Sequence, residues 1–290
     1  MTALTIVAPG PLATVQDLGR PGYAHVGVPH SGGADRASMT RANRLVGNDE
    51  HAATIETTLG GLRLRADSTV LAAVTGAVTR VTVDGVAAGI DAALTLHAGS
   101  ELTIETPTWG CRNYLAVRGG IDVPPVLGSR STDLLSGLGP APLTAGTSLA
   151  VGDDAREWPA ATDAPVDYEH AEIVTLDVSP GPRASSVVAP EHLSVGEWSV
   201  SGDSNRVGVR LLRPDGSDDP VLRHRDEGGE LRSEGMPLGA VQIPPSGRPV
   251  LFLADHPVTG GYPVVAVLRP ASIDAAAQLV AGTRVRFRMR

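Results

Sequence analysis

The sequence predicts a mainly β fold with few short helices, and both composition and periodicity support that class. Its 290 residues include 34 glycines and 23 prolines, well above average usage, whereas aromatic residues make up only 3%. Short runs of alternating apolar and polar residues recur between turn residues, a pattern typical of antiparallel strands. With 42% hydrophobic residues, the chain can bury a substantial core. We therefore expect many short strands joined by tight turns rather than a helical bundle.

The clearest strands lie between Ser68 and Thr106. In the segment RVTVDGVAAG, Val81 and Val83 share one face and precede an Asp84-Gly85 turn, which predicts a β-hairpin. In LTLHAGSELTIE, apolar residues alternate on both sides of Gly99-Ser100. This second pattern predicts another hairpin of antiparallel strands.

Two helices are predicted from capping residues and apolar spacing. In ADRASMTRANRLVGN, Asp35 is suited to cap the first turn and Gly47 to end the helix. The apolar residues that share one face of this helix are Met39, Ala42, Leu45 and Val46. In SIDAAAQLVAG, Ser272 is the predicted cap and Gly282 the predicted stop. A third, short helical turn is predicted within PEHLSVG.

A polar, acidic and proline-bearing segment from Gly152 to Glu172 divides the chain near its middle, and it is typical of a linker or a long surface loop. On each side, a strand-like start leads into the phrase Val-x-Pro-Gly-Pro, within Ile6 to Pro11 and Asp177 to Pro182. The phrase is short enough to arise by chance, but as a true repeat it indicates two related β-barrel-like domains in tandem. We predict that these domains span residues 1–165 and 166–290.

Charge and residue usage exclude several classes of function. The formal net charge of −8 gives no general attraction to phosphates, which argues against nucleic acid or an anionic membrane as the main partner. All 24 basic residues are arginines, so a phosphate-loop lysine, a Schiff-base lysine and a biotin-carrying lysine are excluded. The single cysteine, Cys111, is predicted to be a buried structural thiol in a strand. The histidines form no H-E-x-x-H pairing, so no metal site is predicted. Neither a secretory leader nor an apolar run of membrane-spanning length is visible, so a cytoplasmic location is expected.

Two glycine-rich clusters in the first half of the chain are candidate ligand sites. From Thr14 to Asn48, glycines precede a helix and can present backbone N–H groups to a carboxylate or carbonyl oxygen, although a simple glycine-rich connection explains them as well. In LAVRGGIDVPPVLGSRSTD, Gly119 and Gly120 permit a close backbone approach, and Arg130 has the geometry to hold a carboxylate in a two-pronged contact. A surface loop is the alternative for this second cluster.

A third cluster, from Leu231 to Val265, places polar residues between apolar strands. These residues are Ser233, Glu234, Gln242, Asp255, Thr259 and Tyr262. The phrase TGGYP interrupts the apolar runs RPVLFL and VVAVL, and it is predicted to offer a backbone surface for a ligand, with Tyr262 as a polar-tipped wall. A tight hairpin between the two apolar runs is the alternative.

At these clusters the sequence resembles a known family. The motifs TVQDLGRPGYAHVGVPHSGGADR, ANRLVGN, AVRGGIDVPPVLGSRSTD, SEGMPLGAVQIPPSGRPV and ADHPVTGGYP resemble the KipA family, which includes the C-type subunit of 5-oxoprolinase. This is the biotin-dependent carboxyltransferase family related to allophanate hydrolase subunit 2. The resemblance runs from about Thr14 to Leu268 through five ordered motifs. It implies a mainly β fold of two tandem cyclophilin-like β-barrel domains.

The resemblance also implies partners and an activity. Assemblies of this family contain a KipI-like partner and often a third, LamB/YcsF-like partner, and they hydrolyse 5-oxoproline to glutamate with ATP. In fused urea amidolyases, equivalent modules form a carboxyltransferase that moves a carboxyl group from carboxybiotin to urea. In some bacilli the family member is an antagonist of a kinase inhibitor. The resemblance therefore predicts an oxoprolinase subunit, with a carboxyltransferase component and a regulatory binding protein as alternatives.

On the oxoprolinase hypothesis, site residues follow from the matching motifs. Arg130 is predicted to hold the substrate carboxylate, and Gly120, Gly260 and Gly261 to offer backbone donors to the developing oxyanion. Glu234, Asp255 and Tyr262 are the predicted catalytic residues, for proton handling or orientation. The remaining predicted substrate-binding residues are Gly119, Ser131, Thr132, Gln242 and Thr259. ATP is expected to bind mainly elsewhere in the complex, and biotin, if used, to be carried by another protein.

Overall fold

The structure is a computed structural model that describes residues 3–166, 171–225 and 231–290. These residues form two compact units. The N-terminal unit contains residues 3–20, 31–133 and 137–166, and the C-terminal unit contains residues 21–30, 134–136, 171–225 and 231–290. The chain leaves the N-terminal unit for the last time between residues 166 and 171, close to the predicted domain boundary at residues 165 and 166. The prediction did not anticipate that segments 21–30 and 134–136 group with the C-terminal unit.

The strands of the N-terminal unit form two sheets. The elements are β1 (Ala3–Pro9), β2 (Leu12–Gln16), α1 (Arg36–Leu45), β3 (Thr54–Thr58), β4 (Leu62–Ala66), β5 (Val70–Val78), β6 (Val81–Val83), β7 (Val86–Ala88), β8 (Ala93–Leu96), β9 (Glu101–Ile104), β10 (Trp109–Val117), β11 (Ile121–Asp122) and β12 (Ser148–Val151). One sheet has the strand order β11-β12-β1-β4-β9-β6-β7, and the other has the order β2-β3-β10-β5-β8. Adjacent strands in both sheets are antiparallel, as the alternating sequence patterns predict.

The main core of this unit is built from apolar residues of both sheets. In β10, Leu115 and Val117 belong to this core, whereas Tyr114 and Ala116 pack with α1. Successive side chains of a strand point to opposite faces of its sheet, so β10 separates two apolar clusters. Each fully buried Leu or Val stabilises the fold by about 1.5–3 kcal/mol relative to exposure. Cys111 is buried in the same strand, as predicted.

The helix α1 begins and ends as the sequence predicts. The side chain of Asp35 accepts a hydrogen bond from the backbone N–H of Ser38 at 2.9 Å, which satisfies one of the unpaired donors at the helix start. Gly47 follows the helix with a φ of 69°, a left-handed conformation that glycine adopts without strain. The predicted apolar face is buried against the five-stranded sheet; its residues are Met39, Ala42, Leu45 and Val46.

One of the two predicted hairpins forms, and the other does not. Strands β6 and β7 pair in register through Val83 and Val86, and both residues of the Asp84-Gly85 turn have positive φ. The prediction of a second hairpin around Gly99-Ser100 is wrong. Strand β8 pairs with β5 in the five-stranded sheet, whereas β9 pairs with β4 and β6 in the seven-stranded sheet. The connection crosses between the sheets because Leu96 and Leu102 both bury in their common core.

The segment from Gly152 to Glu172, predicted as a linker or long surface loop, makes contacts with the N-terminal unit. The backbone N–H of Arg156 donates to the Gly47 carbonyl, and the guanidinium of Arg118 lies 4.1 Å from the centroid of the Trp158 ring. Such contacts are those of a surface loop held to its own unit rather than of a free linker. Residues 167–170 of this segment lie outside the described residues.

The C-terminal unit closes its strands into a barrel. Its elements are β13 (Ile173–Pro180), β14 (Trp198–Val200), β15 (Gly208–Leu212), β16 (Glu234–Gly235), β17 (Ala240–Gln242), β18 (Val250–Phe252), β19 (Thr259–Gly260), β20 (Val264–Leu268), α2 (Pro270–Ala277) and β21 (Arg284–Met289). The barrel order is β13-β20-β17-β18-β15-β14-β21, and β16 pairs with β19 in a separate ribbon. Strands β13 and β21 are parallel, and the other paired strands are antiparallel. A 3₁₀ turn at Pro190–Ser194 confirms the predicted short helical turn.

Both cap predictions for the second helix are wrong. The N-cap position of α2 is Arg269, whereas Ser272 lies inside the helix and accepts a hydrogen bond from the backbone N–H of Asp177 at 2.8 Å. The helix ends at Ala277, well before Gly282, which occupies a later turn. The hydroxyl of Ser272 is therefore used to attach the helix to β13, a tertiary contact that local sequence does not reveal.

The two apolar runs on either side of TGGYP form strands, but they are not a hairpin. Strand β17 pairs with both β18 and β20 and lies between them in the barrel. The residues between β18 and β20 instead contribute β19, which pairs with β16. The hairpin alternative for this stretch is therefore wrong, because a third strand occupies the intervening position.

The mainly β class with few short helices is confirmed. Two α-helices accompany the strands of the described chain, and neither these nor any other described helix is long and apolar enough to cross a membrane. The closed barrel belongs to the C-terminal unit, and the strands of the N-terminal unit divide between a seven-stranded and a five-stranded sheet.

Candidate functional site

In the N-terminal unit, the predicted residues around Arg130 gather on the carboxylate of Asp17. Its Oδ1 accepts hydrogen bonds from the backbone N–H of Gly19 at 2.8 Å and from the hydroxyls of Ser129 at 2.6 Å and Ser131 at 2.5 Å. Its Oδ2 accepts a hydrogen bond from the backbone N–H of Arg130 at 2.6 Å. Asp17 is buried. These donors satisfy one internal carboxylate, so the Ser131 hydroxyl, a predicted substrate ligand, is already used.

The guanidinium of Arg130 is also engaged within its own unit. Its Nε donates to the Val123 carbonyl at 3.0 Å, and its Nη2 lies 3.2 Å from Oδ1 of Asp122. Its Nη1 lies 3.8 Å from Oδ2 of Asp154. Two carboxylates therefore compete with any substrate carboxylate for this side chain. In this geometry Arg130 holds its own loop in place. The contacts do not support the predicted role of Arg130 in substrate binding.

Thr132 is buried beneath the same loop. Its backbone N–H donates to the Val15 carbonyl at 2.9 Å, and its carbonyl accepts hydrogen bonds from Gln16 Nε2 at 2.9 Å and from the Ser31 hydroxyl at 3.2 Å. Only 2% of Thr132 is exposed. A substrate would reach this residue only after the loop had opened, so the structure does not support its predicted contact either.

The paired glycines at 119 and 120 serve close packing of the chain. A Cβ added to Gly119 would lie 2.2 Å from the Gly152 carbonyl oxygen, and both glycines have positive φ. The backbone N–H of Gly119 donates to Asn48 Oδ1 at 2.8 Å, and that of Gly120 donates to the Val117 carbonyl at 2.9 Å. The predicted donation from Gly120 to an oxyanion is therefore corrected, because its N–H group is occupied.

The glycine-rich stretch before α1 is likewise satisfied by the protein itself. The backbone N–H of Ala34 donates to Glu56 Oε2 at 3.0 Å, and that of Asp35 donates to the Tyr114 hydroxyl oxygen at 2.7 Å. The Tyr114 hydroxyl in turn donates to Glu56 Oε2 at 2.8 Å. Burial, reinforced by the nearby Glu56 and Asp35 carboxylates, raises the pKa of Tyr114 well above its ordinary value, so this hydroxyl keeps its proton. The simple glycine-rich connection fits this stretch better than a ligand site.

In the C-terminal unit, most of the predicted residues meet on a short ribbon. Strands β16 and β19 pair in register through Glu234 with Gly260 and Gly235 with Thr259. We call these two strands, with the following Gly261-Tyr262, the glycine ribbon. The ribbon is continuous with barrel strand β20, so a rigid frame supports it.

Gln242, at the end of β17, lies against the glycine ribbon. Its Nε2 donates to the Tyr262 carbonyl at 3.1 Å and lies 3.6 Å from the sulfur of Met236. A Cβ added to Gly260 would lie 2.8 Å from Gln242 Nε2 and 2.7 Å from Met236 Cε. Glycine at position 260 therefore allows the amide of Gln242 to approach the ribbon backbone.

The glycine ribbon carries two hydrogen-bond donors on adjacent residues, the backbone N–H of Gly261 and the hydroxyl of Tyr262. Within residues 3–166, 171–225 and 231–290, neither the Tyr262 hydroxyl nor the backbone N–H of Gly261 has a hydrogen-bond partner. Tyr262 is half-buried, and the Gly261 carbonyl accepts a hydrogen bond from the backbone N–H of Leu231 at 3.1 Å. An O–H and an N–H on adjacent residues can donate to an oxygen that gains negative charge during a reaction.

Glu234 is fixed at the ribbon by Arg183. Both carboxylate oxygens of Glu234 pair with the guanidinium, with Nε of Arg183 at 2.9 Å from Oε2. These hydrogen bonds lower the pKa of Glu234 below its ordinary value. At neutral pH the side chain is therefore ionised and accepts hydrogen bonds, so it is suited to orienting a substrate or water rather than to donating a proton.

Asp255, the third predicted catalytic residue, forms a buried ion pair. Its Oδ2 lies 2.9 Å from Nε of Arg206, and its Oδ1 lies 3.1 Å from Nη2. Oδ2 also accepts a hydrogen bond from the backbone N–H of Leu134 at 3.2 Å. Asp255 is 0% exposed and Arg206 is 1% exposed. Both oxygens of Asp255 thus hold the fold together, and the proton transfer predicted for this residue would require breaking the pair.

Sequence reasoning missed three residues that organise these clusters. Arg183 directly follows the second Val-x-Pro-Gly-Pro phrase, and Asp17 directly follows β2, which ends at Gln16. Their positions beside these segments could have identified both as candidate site residues. Arg206 carries no comparable local signal, because its partner is 49 residues away along the chain.

Comparison with known proteins finds matches along almost the whole chain. The family described as carboxyltransferase domain, subdomain A and B, matches residues 26–289. The C-type subunit of 5-oxoprolinase from Escherichia coli K12 is 36% identical over 98% of this chain and 90% of its own length. Urea amidolyase of Lachancea kluyveri is 33% identical over 98% of this chain but only 17% of its own length. The crystal structure of TTHA0988 superposes with a TM-score of 0.87 and 35% identity, over 99% of this chain and 55% of that chain.

Proposed function

The chain belongs to the carboxyltransferase domain family, subdomains A and B, and on that premise we propose that it is the C-type subunit of an ATP-dependent 5-oxoprolinase complex, which hydrolyses 5-oxoproline to glutamate. The family resemblance predicted from five motifs is confirmed by the match over residues 26–289. The observation that carries the proposal is the similarity to the bacterial 5-oxoprolinase protein, which extends over nearly the full length of both chains. Urea amidolyase and TTHA0988 extend far beyond the region that this chain matches.

The glycine ribbon supplies the groups for this reaction in our proposal. A lactam carbonyl is a poor electrophile, and ATP, held elsewhere in the complex, would supply the phosphoryl group that activates its oxygen. In this route water adds to the phosphorylated lactam carbon and the ring C–N bond breaks as its nitrogen takes a proton, which gives an acyl phosphate. A second water then displaces phosphate from that carbon, and the N–H of Gly261 and the hydroxyl of Tyr262 donate hydrogen bonds to the acyl oxygen that gains negative charge in this step. Glu234, held by Arg183, accepts a hydrogen bond from the ring N–H or from the attacking water.

The remaining ribbon residues position the substrate. The amide of Gln242 lies beside Gly260, and any side chain at position 260 would displace this amide. Thr259 is the neighbouring residue on β19 and is exposed. Arg183, which contacts the ribbon, is already bound to Glu234 and is therefore not available to a triphosphate. We therefore propose that a partner protein binds ATP. In this proposal, Arg130 and Asp255 stabilise the fold and do not contact the substrate.

We further propose that the complex contains a KipI-like partner and a LamB/YcsF-like partner and assembles in the cytoplasm. The support for partners is that the full-length relative is itself one subunit of a larger enzyme. The isolated chain is accordingly expected to be inactive.

The test is ATP-dependent glutamate release from 5-oxoproline by the three co-purified proteins, with each one omitted in turn. We expect turnover only when all three are present. Turnover that persists when this chain is omitted would contradict the proposal, and so would turnover by this chain alone. A stable complex that does not release glutamate would favour one of the alternatives.

The second candidate function is carboxyl transfer to urea. It is favoured by the family description and by the 33% identity to one region of urea amidolyase. Because the chain has no lysine, biotin would have to be carried by another protein. Carboxylated biotin carrier and urea, supplied to the complex in place of ATP and 5-oxoproline, would distinguish this function. Partner binding without either reaction would instead indicate a regulatory protein.

A further inference from the structure

A cavity with arginines in its walls lies on the C-terminal barrel, beside β15 and β18. It has a volume of about 620 Å³, and its lining includes Arg210, Arg248, Ser201, Ser246 and Asp203. Cavities of several hundred Å³ are typical of small-molecule sites. None of these residues belongs to the glycine ribbon or to the proposed reaction.

Strand register brings the two arginines to the same side of the barrel. Arg210 is the exposed residue between buried Val209 and Leu211, so it points outward, and it pairs directly with Val250 of β18. Arg248 lies two residues before Val250, and is also exposed. Residues related in this way are diagonal neighbours on one face of an antiparallel pair, about 7–8 Å apart. The two guanidinium groups can therefore reach one ligand between them.

Neither arginine is neutralised by the part of the chain that the structure describes. No described carboxylate forms an ion pair with Arg210 or Arg248, although Asp203 lines the same cavity. By contrast, Arg284 and Arg286, two exposed arginines of β21, both pair with Glu197. Two arginines and one aspartate give the cavity a net positive charge, in a chain whose formal net charge is −8.

The walls of the cavity are held in place by the surrounding backbone. On one side, the turn from Pro244 to Gly247 packs so closely that a Cβ at Gly247 would lie 2.3 Å from the Leu222 carbonyl oxygen. On the other side, the Ser204 hydroxyl donates to the Ser201 carbonyl at 2.8 Å and accepts a hydrogen bond from the backbone N–H of Arg210 at 3.0 Å. A site whose walls are fixed before binding loses less entropy when a ligand arrives.

We propose that this cavity binds the phosphate group of a small ligand. A single guanidinium is enough to bind a carboxylate, through two parallel hydrogen bonds. This cavity offers two guanidinium groups and the hydroxyls of Ser201 and Ser246, which match the three oxygens and the higher charge of a phosphate. Leu212 and Val250 add apolar surface for the remainder of an organic phosphate. Phosphate binding at this cavity is independent of the proposed oxoprolinase function.

The test is calorimetric titration of the purified full chain with inorganic phosphate, AMP and adenosine. We expect phosphate and AMP to saturate a single site and adenosine, which lacks the phosphate, to bind at least about tenfold more weakly than AMP. Tighter binding of AMP than of phosphate would identify an organic phosphate as the natural ligand, and equal binding would identify the free anion. Absence of saturable binding by both phosphate and AMP would overturn the proposal.

Paired variants locate the site. R210Q/R248Q is expected to weaken phosphate and AMP binding about tenfold or more, whereas the control R284Q/R286Q, which removes the same charge from ion-paired positions of the barrel, leaves both affinities unchanged. Thermal melting confirms that each variant is folded, and the single variants R210Q and R248Q replace the double variant if it is not. Unchanged affinity in the folded cavity variants would overturn the proposal.

Discussion

Two of the three glycine-rich clusters of this protein, the one around Arg130 and the one that contains the glycine ribbon, differ in how much of their hydrogen-bonding capacity the protein itself uses. Around Arg130, the hydroxyls of Ser129 and Ser131 and the backbone N–H and guanidinium of Arg130 bind internal acceptors, with Asp17 at the centre. Among the described residues, the buried Thr132 hydroxyl has no hydrogen-bond partner. On the glycine ribbon, the Gly261 N–H and the Tyr262 hydroxyl have no partner in the described chain. Glycines, arginines and hydroxyls in a motif therefore indicate a ligand site only where some of their polar groups are both unsatisfied and accessible.

The largest effect is expected from Asp255→Asn, which separates fold support from catalysis. The change removes the carboxylate charge that faces the buried Arg206, and it should lower the free energy of unfolding by about 3–5 kcal/mol. Urea denaturation measures this, with Asp215→Asn, at an exposed position, as the control. If Asp255→Asn were as stable as wild type but inactive in the complex, the catalytic role first predicted for Asp255 would be restored.

A somewhat smaller loss is expected from Asp17→Asn in the other unit. The Asp17 carboxylate accepts four hydrogen bonds. An asparagine amide has only one acceptor oxygen, and its NH₂ group would face an N–H or O–H group that also donates. We expect the free energy of unfolding to fall by about 2–4 kcal/mol. Denaturation of Asp153→Asn, an exposed residue of the same unit, provides the baseline. A stability equal to that baseline would show that the Arg130 loop is not organised by Asp17.

An intermediate effect is expected where the glycine ribbon meets Gln242. Gly260→Ala forces Gln242 or Met236 to move, which should cost about 1–2 kcal/mol of stability and lower turnover in the complex. Gly235→Ala, on the paired strand, has open space around the added methyl group and should change neither property. Equal behaviour of the two variants, by denaturation and glutamate release, would mean that the close approach of Gln242 has no function.

The smallest effect concerns the pair of Glu234 and Arg183. Arg183 lowers the pKa of Glu234 below its ordinary value of 4.5, so the pair stabilises the folded state above that pH and loses its contribution as pH falls through the lowered value. In Arg183→Gln we expect the pKa of Glu234 to rise towards 4.5, as measured by NMR titration of the carboxyl carbon. Asp177, which Arg288 holds, serves as the internal control and should not change. An unchanged pKa for Glu234 would show that the pair does not form in solution.

Much of the fold was accessible from sequence because it depends on local patterns. The β6–β7 hairpin and the cap of α1 follow from residues within a few positions of one another. The β8–β9 connection and the cap of α2 were wrong for a common reason. Leu96 and Leu102 bury in a core shared by two sheets, and Ser272 binds the backbone of Asp177, so tertiary contacts decided both.

The candidate site was predictable only in part. The segment from Thr259 to Tyr262 was identified from its interruption of two apolar runs, and the described part of the chain leaves the Gly261 N–H and the Tyr262 hydroxyl without partners. Arg130 and Asp255 were chosen for residue type, which does not reveal whether a partner is already present. Their partners, Asp122 and Arg206, become visible only when the chain is folded.

In the proposed function, the reactive groups lie on the glycine ribbon rather than around Arg130. The most direct test compares Tyr262→Phe and Arg130→Gln in the complete complex, with kcat for ATP-dependent glutamate release corrected for the folded fraction. We predict that Tyr262→Phe lowers kcat by about tenfold or more, because it removes a hydroxyl without changing the ring, and that Arg130→Gln retains most of the turnover. Loss of turnover in folded Arg130→Gln, with Tyr262→Phe close to wild type, would contradict the account.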